Sequence, residues 1–179
     1  MAGLLRLSAA IDCLNGWVGR LFYWLILLTV VVSSGNAVMR YAFNRSSNAW
    51  LEIQWYLFAA VFLACAAYTF LHNEHIRIDI FSSRLTPQGR NWIEVFGHLL
   101  FLMPLCVVML YESWPYFMSA FRSGEVSSSA GGLVRWPSRL MIPIGFGLLF
   151  LQMVSELIKR VAVMRNLIPD PHGEKAGSH

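Results

Sequence analysis

Residues 21–39 read LFYWLILLTVVVSSGNAVM, nineteen positions without a charge between Arg20 and Arg40. Crossing roughly 30 Å of hydrocarbon takes about 17–25 helical residues. Three more runs follow the same rule. Glu52 and His72 bracket nineteen residues, Glu94 and Glu112 seventeen (with His98 inside), and Arg139 and Glu156 sixteen. The composition agrees: 56% hydrophobic and 13% charged over 179 residues, against about 25% charged in an ordinary soluble domain. Mean hydropathy is +0.52. The expected fold class is therefore an all-α membrane protein with four transmembrane helices, at about 17–39, 50–71, 91–112 and 137–158. Trp17, Tyr23, Trp24, Tyr41, Trp50, Trp55 and Tyr56 supply aromatic belts at the helix ends.

Too little chain remains between the spans for a soluble domain. One membrane domain is expected over 1–168, with a polar, disordered tail at 169–179. The first run is too long for a signal-peptide core and lacks a small-residue cleavage site after it, so it is read as a retained helix. The formal charge of +4 comes from dispersed basic residues, which argues against nucleic acid as a partner. With the N-terminus assigned to the cytoplasm, nine Lys and Arg fall inside and five outside. That bias predicts both termini in the cytoplasm. Cys13, Cys65 and Cys106 form no C-x-x-C pair and read as reduced, structural thiols.

Leu4, Leu7, Ile11, Leu14, Val18 and Leu21 recur at three- and four-residue steps. They predict an amphipathic N-terminal helix that either lies at the lipid interface or packs on a neighbouring helix. Pro104 predicts a kink in the third span and Pro143 a bend in the fourth, while Pro137 suits a first helical turn. A long outer loop is expected over 112–136, with its Ser- and Gly-rich part at 123–132 the most mobile segment.

A transporter pathway keeps ionisable groups at membrane depth. By the run boundaries, Glu52, Glu94, Glu112, Arg139 and Glu156 all lie within about a turn of an interface. His98 is the deepest titratable group. No catalytic, cofactor-binding or metal-ligating set emerges, and no enzyme activity is expected. A haem-bearing membrane anchor is the alternative function. His72 and His98 would be its ligands, yet they differ in depth by about 10 Å on the run boundaries, and His75 is further out. A self-assembling four-span exporter would want an acid in the first span, and 21–39 holds none.

Ala60, Ala64 and Ala67 share one face of the second span, and Gly145 and Gly147 lie in the fourth. Small residues at this spacing allow close helix approach, either inside the bundle or to a second membrane protein. Arg40-Tyr41-Ala42-Phe43-Asn44, followed by Trp50 and Glu52, forms one polar cluster, in which Arg40 and Glu52 could pair. His75-Ile76-Arg77-Ile78-Asp79-Ile80 forms another, with isoleucines alternating against charges as in an extended segment on a surface.

At these clusters the chain resembles the DctQ-like small permease subunit of tripartite ATP-independent periplasmic (TRAP) transporters. The matching features are Arg40-Tyr41-x-Phe43-Asn44 with Trp50 and Glu52, then His75-Ile76-Arg77-Ile78-Asp79. Trp136 with Ile142-Pro143-Ile144-Gly145-Phe146 completes them. The resemblance covers roughly residues 15–160. It departs where the family often has two adjacent acids, since Ile53 follows Glu52 here. The resemblance implies a multi-pass protein of the bacterial inner membrane. Its expected partners are a large permease subunit, a periplasmic substrate-binding protein and membrane lipid. The large subunit would carry an organic acid by cation-coupled elevator motion, with the small subunit as scaffold. The candidate subunit-interface residues are Arg40, Tyr41, Asn44, Trp50, Glu52, Ala60, Ala64, His75, Arg77 and Asp79.

Overall fold

The computed structural model describes residues 2–44, 47–72, 87–165 and 167–168. Helix α1 runs Ala2–Phe43, α2 Asn48–Leu71, α3 Pro87–Gly97, α4 Met103–Ser123 and α5 Trp136–Met164. A π-helical turn, His98–Leu102, joins α3 to α4. Four helical stretches are long and apolar enough to cross a membrane: Gly3–Phe43, Asn48–Leu71, Val95–Ser123 and Trp136–Met164.

Helix α1 is one continuous rod of 42 residues, about 63 Å at 1.5 Å per residue. That is twice the hydrocarbon thickness, so the predicted N-terminal amphipathic helix and the first span are one element. It ends where Asn44 turns to φ 52°, the left-handed region that Asn tolerates better than most side chains.

The turn before α4 is where Pro104 acts. The Met103 N–H bonds to the His98 carbonyl five residues back, so a wide π turn precedes the proline. Beyond it α4 does not stop at Glu112, as the charge boundary suggests, but runs on to Ser123. Cys106, Ser113, Phe117 and Ala120 are its buried residues, and their helical spacing carries one face past Glu112. The stop is Gly124, at φ 60°. Its N–H and that of Glu125 both reach the Ala120 carbonyl, as left-handed glycine termini do.

Helix α5 packs on α1, α2 and α4 and is the hub of the bundle. It carries the most buried residues, among them Pro143, Gly145, Gln152, Met153, Ser155 and Glu156. Two glycines set the crossings. A Cβ on Gly145 would lie 2.6 Å from the Leu63 Cβ and 2.9 Å from the Leu63 carbonyl oxygen. A Cβ on Gly19 would lie 2.1 Å from the Tyr68 ring. The spans are unequally covered. A third (33%) of the most apolar window of α5 is buried, against 17% in α2, 6% in α4 and none in α1.

Candidate functional site

At the end of the bundle opposite the termini, Glu52 sits in the first turns of α2 and is buried. Its carboxylate accepts the Leu133 N–H at 2.7 Å. Leu133 belongs to the α4–α5 connection, which folds back on itself through Ser127 N–H to Leu133 O (2.9 Å) and Arg135 N–H to Glu125 O (2.9 Å). The Asn48 amide donates to the Ala130 carbonyl and the Tyr56 hydroxyl to that of Val134, each at 3.3 Å. The segment expected to be most mobile is therefore tied to α2 at Ala130 and, just beyond its end, at Leu133 and Val134. Its charges are matched locally. Glu125 pairs with Arg135 (3.2 Å) and Arg139 (2.8 Å), and the Arg139 guanidinium lies 4.0 Å above the Tyr116 ring. Glu52 is thus the clasp of this loop. Among the described residues Arg40 makes no ion pair with it; Arg40 is exposed.

At the other end, the N-terminal part of α1 lies along α5 with its polar side inward. Ser8 and Asn15 are almost fully buried, while Leu4, Leu7 and Leu14 keep 44–50% of their surface. Asn15 donates to the Gln152 side-chain oxygen at 2.7 Å, and Gln152 donates to Asp12 at 2.9 Å. Ser155 donates to Asp12 at 2.7 Å. Lys159 pairs with Asp12 at 3.0 Å and also contacts Glu156. This clamp holds the polar face of α1 and leaves the predicted apolar stripe, apart from Ile11, turned outward. The segment does pack on a neighbouring helix, but through its polar face rather than through the apolar stripe.

The candidate interface residues separate into groups. Arg40, Tyr41 and Asn44 are exposed at the tip of α1, and Trp50 is half-exposed on α2. A cleft of about 920 Å³ lies between the two helices there, lined by Val31, Gly35, Asn36, Met39, Asn44 and Trp50. Ala60 and Ala64 are buried in the bundle of this chain, so the small-residue stripe already packs internally. His75, Arg77 and Asp79 lie outside the described residues. The imidazoles of the haem alternative are engaged separately: His72 stacks on Tyr68 at 4.1 Å and His98 meets Phe70 edge-on at 5.1 Å.

The charge boundary at Glu112 is not a helix end. Glu112 lies inside α4, eleven residues before Ser123, and its side chain is exposed. Only the length of α4, which a charge-bounded run cannot show, reveals this.

The sequence of this four-helix chain matches a known family. The model of the tripartite ATP-independent periplasmic transporters, DctQ component, matches residues 28–163. The chain belongs to the DctQ family. A Haemophilus influenzae protein described as a TRAP transporter small permease protein is 28% identical over 93 residues, covering 52% of this chain and 56% of its own length. The match thus spans little more than half of that relative. As a DctQ component the protein is part of a transporter, and the match takes in the C-terminal part of α1 from residue 28 and all of α2 to α4. It ends one residue before α5 does.

Proposed function

We propose that this DctQ component is the small membrane subunit of a TRAP-type secondary transporter in a bacterial inner membrane. It scaffolds a large permease subunit that takes up an organic acid, coupled to a cation gradient and delivered by a periplasmic binding protein. The observation that carries the reading is the family match over 28–163. The spans support it. The charged groups buried in the bundle lie toward its two ends, Glu52 at one and Glu156 and Arg160 at the other. From Arg20 to Phe43 no residue of α1 is buried. That surface, with Arg40, Tyr41, Asn44 and Trp50 around the cleft, is offered to the large subunit.

Co-expression of the tagged protein with a large TRAP permease subunit from the same source tests the reading. Retention of the large subunit in mild detergent is expected. Absence of a complex, together with a haem absorbance spectrum, would favour the oxidoreductase anchor. The segment with His75, Arg77 and Asp79 is proposed as a second contact. Asp79→Asn should lower complex yield more than Gln88→Ala; equal yields would make the segment a connector.

A further inference from the structure

We propose that a recess between α2 and α4, beside the hairpin of residues 125–135, binds the headgroup of a zwitterionic phospholipid with a primary ammonium, phosphatidylethanolamine. The lipid comes from the leaflet at the end of the bundle opposite the termini. Its phosphate lies on Arg139 and its ammonium on Glu52. Three observations carry this: the two signs of charge in the lining, an arginine with more donors than acceptors, and an apolar flank that continues down α2.

The recess is built by three helices and a loop. Helices α2 and α4 both pack on α5. Glu52 and Trp55 of α2, Tyr116 of α4, Arg139 of α5 and Arg135 before it border a cavity of about 230 Å³. Pockets for drug-sized ligands run from roughly 300 to 1,000 Å³, so this one takes a headgroup and leaves the acyl chains outside. Trp and Tyr rings mark headgroup depth, and Trp55 and Tyr116 are 69% and 49% exposed. Phe62 lies two turns below Trp55 on the same face of α2 and is 70% exposed. Trp55 and Phe62 give the chains an apolar wall.

The charges choose the headgroup. Arg135 and Arg139 share one oxygen of Glu125, at 3.2 and 2.8 Å. A guanidinium has five N–H donors. Among the described residues Arg139 places two, on Glu125 and, at 3.5 Å, on the Tyr116 carbonyl. Its side chain is 12% exposed, so little water reaches the others. A phosphate matches such a planar fork, and the N-terminus of α5 at Trp136 favours an anion in the same place. Glu52 carries the opposite demand. It is 6% exposed and accepts the Leu133 N–H at 2.7 Å, and among the described residues no ion pair includes it. A ligand that is only anionic, whether phosphatidylglycerol or a carboxylate solute, meets Glu52 in the same recess. An arginine of a second copy supplies only the cation. A choline headgroup carries both signs but has no N–H to give a carboxylate. Phosphoethanolamine supplies a phosphate, a cation and N–H donors on one short linker.

Native mass spectrometry tests this on the purified chain, released from micelles holding equal parts of dioleoyl phosphatidylethanolamine, phosphatidylglycerol and phosphatidylcholine. The chain should keep several-fold more phosphatidylethanolamine than either of the others. Arg139→Gln should lower that retention by at least about fivefold, since a charge-assisted phosphate contact is lost. Glu52→Gln keeps an acceptor for the Leu133 N–H but removes the charge. It should bring phosphatidylethanolamine and phosphatidylcholine to equal retention while both still bind. Arg122→Gln, exposed near the end of α4 and outside the recess, should keep the parent pattern. Thermal midpoints in lipid-free detergent show which variants stay folded; if Arg139→Gln does not, the levelling by Glu52→Gln decides. Equal retention of the three lipids by the parent overturns the proposal, because the contact is then an unselective lipid coat. So does a preference for phosphatidylglycerol, or a preference for phosphatidylethanolamine that survives Glu52→Gln. Free phosphoethanolamine that raises the midpoint as much as the lipid does would make this a site for a soluble ligand, which also overturns it. The large subunit is absent throughout, so the outcome stands apart from the subunit assignment.

Discussion

Gly19, Gly35 and Gly145 are all helical, yet their surroundings make them unequal. A methyl group on Gly145 meets the Leu63 carbonyl at 2.9 Å, and backbone cannot rotate aside. Gly145→Ala should therefore cost about 1–3 kcal/mol, the usual range for overpacking a core. Gly35 has nothing within 4 Å of its would-be Cβ. Gly35→Ala in the isolated chain should add about 0.5–1 kcal/mol by restricting the unfolded backbone. Thermal unfolding of the two variants in one detergent reads the opposite signs. Equal shifts would mean that the α2–α5 crossing is looser than described. Lys159 is a second residue-scale case. It bridges Asp12 and Glu156, with side-chain exposures of 25% and 6%. Lys159→Met leaves two carboxylates together and should cost about 1–3 kcal/mol, below the roughly 3–5 kcal/mol of a fully buried pair. Adding Asp12→Asn should recover part of the loss; a strictly additive double variant would show that the groups do not interact.

At the scale of the element, the first sixteen residues show a pattern and its use coming apart. Periodicity correctly makes them helical but leaves open whether the leucines lie at the lipid interface or form the packed face. In the structure the leucines face out and Ser8, Asp12 and Asn15 face α5. In a soluble protein the apolar side is driven inward by water. Here lipid solvates leucine as well as a neighbouring helix would, so hydrogen bonding and close packing choose the inner face. Asn15→Leu should thus destabilise the chain by about 1–3 kcal/mol, since Gln152 loses its donor, whereas Leu14→Gln should stay within about 0.5 kcal/mol. Chemical denaturation in detergent micelles compares them directly; the reverse order would restore the leucine stripe as the packed face. Helix α4 makes a related point. Its length was hidden because Glu112 looks like an end, whereas the real stop is the left-handed Gly124.

For the whole molecule, the basic-residue bias predicts a bundle with both termini in the cytoplasm. Cysteines at Ser83 and Ser128, in a background lacking Cys13, Cys65 and Cys106, test this with an impermeant thiol reagent on intact cells. Labelling of Ser128→Cys alone is expected, and labelling of Ser83→Cys alone would invert the topology. The number of spans and the family likeness were legible in the chain, because the bilayer imposes length and apolarity on each span independently of the others. What the string of residues does not carry is which faces meet. That Glu52 clasps Leu133 across 81 positions depends on the relative placement of helices. So does Lys159 reaching Asp12 across 147. In a membrane, apolar patterning hardly distinguishes a neighbour from lipid. The tertiary structure alone decides those contacts, through steric fit at Gly19 and Gly145 and through the few polar groups that hydrocarbon cannot satisfy.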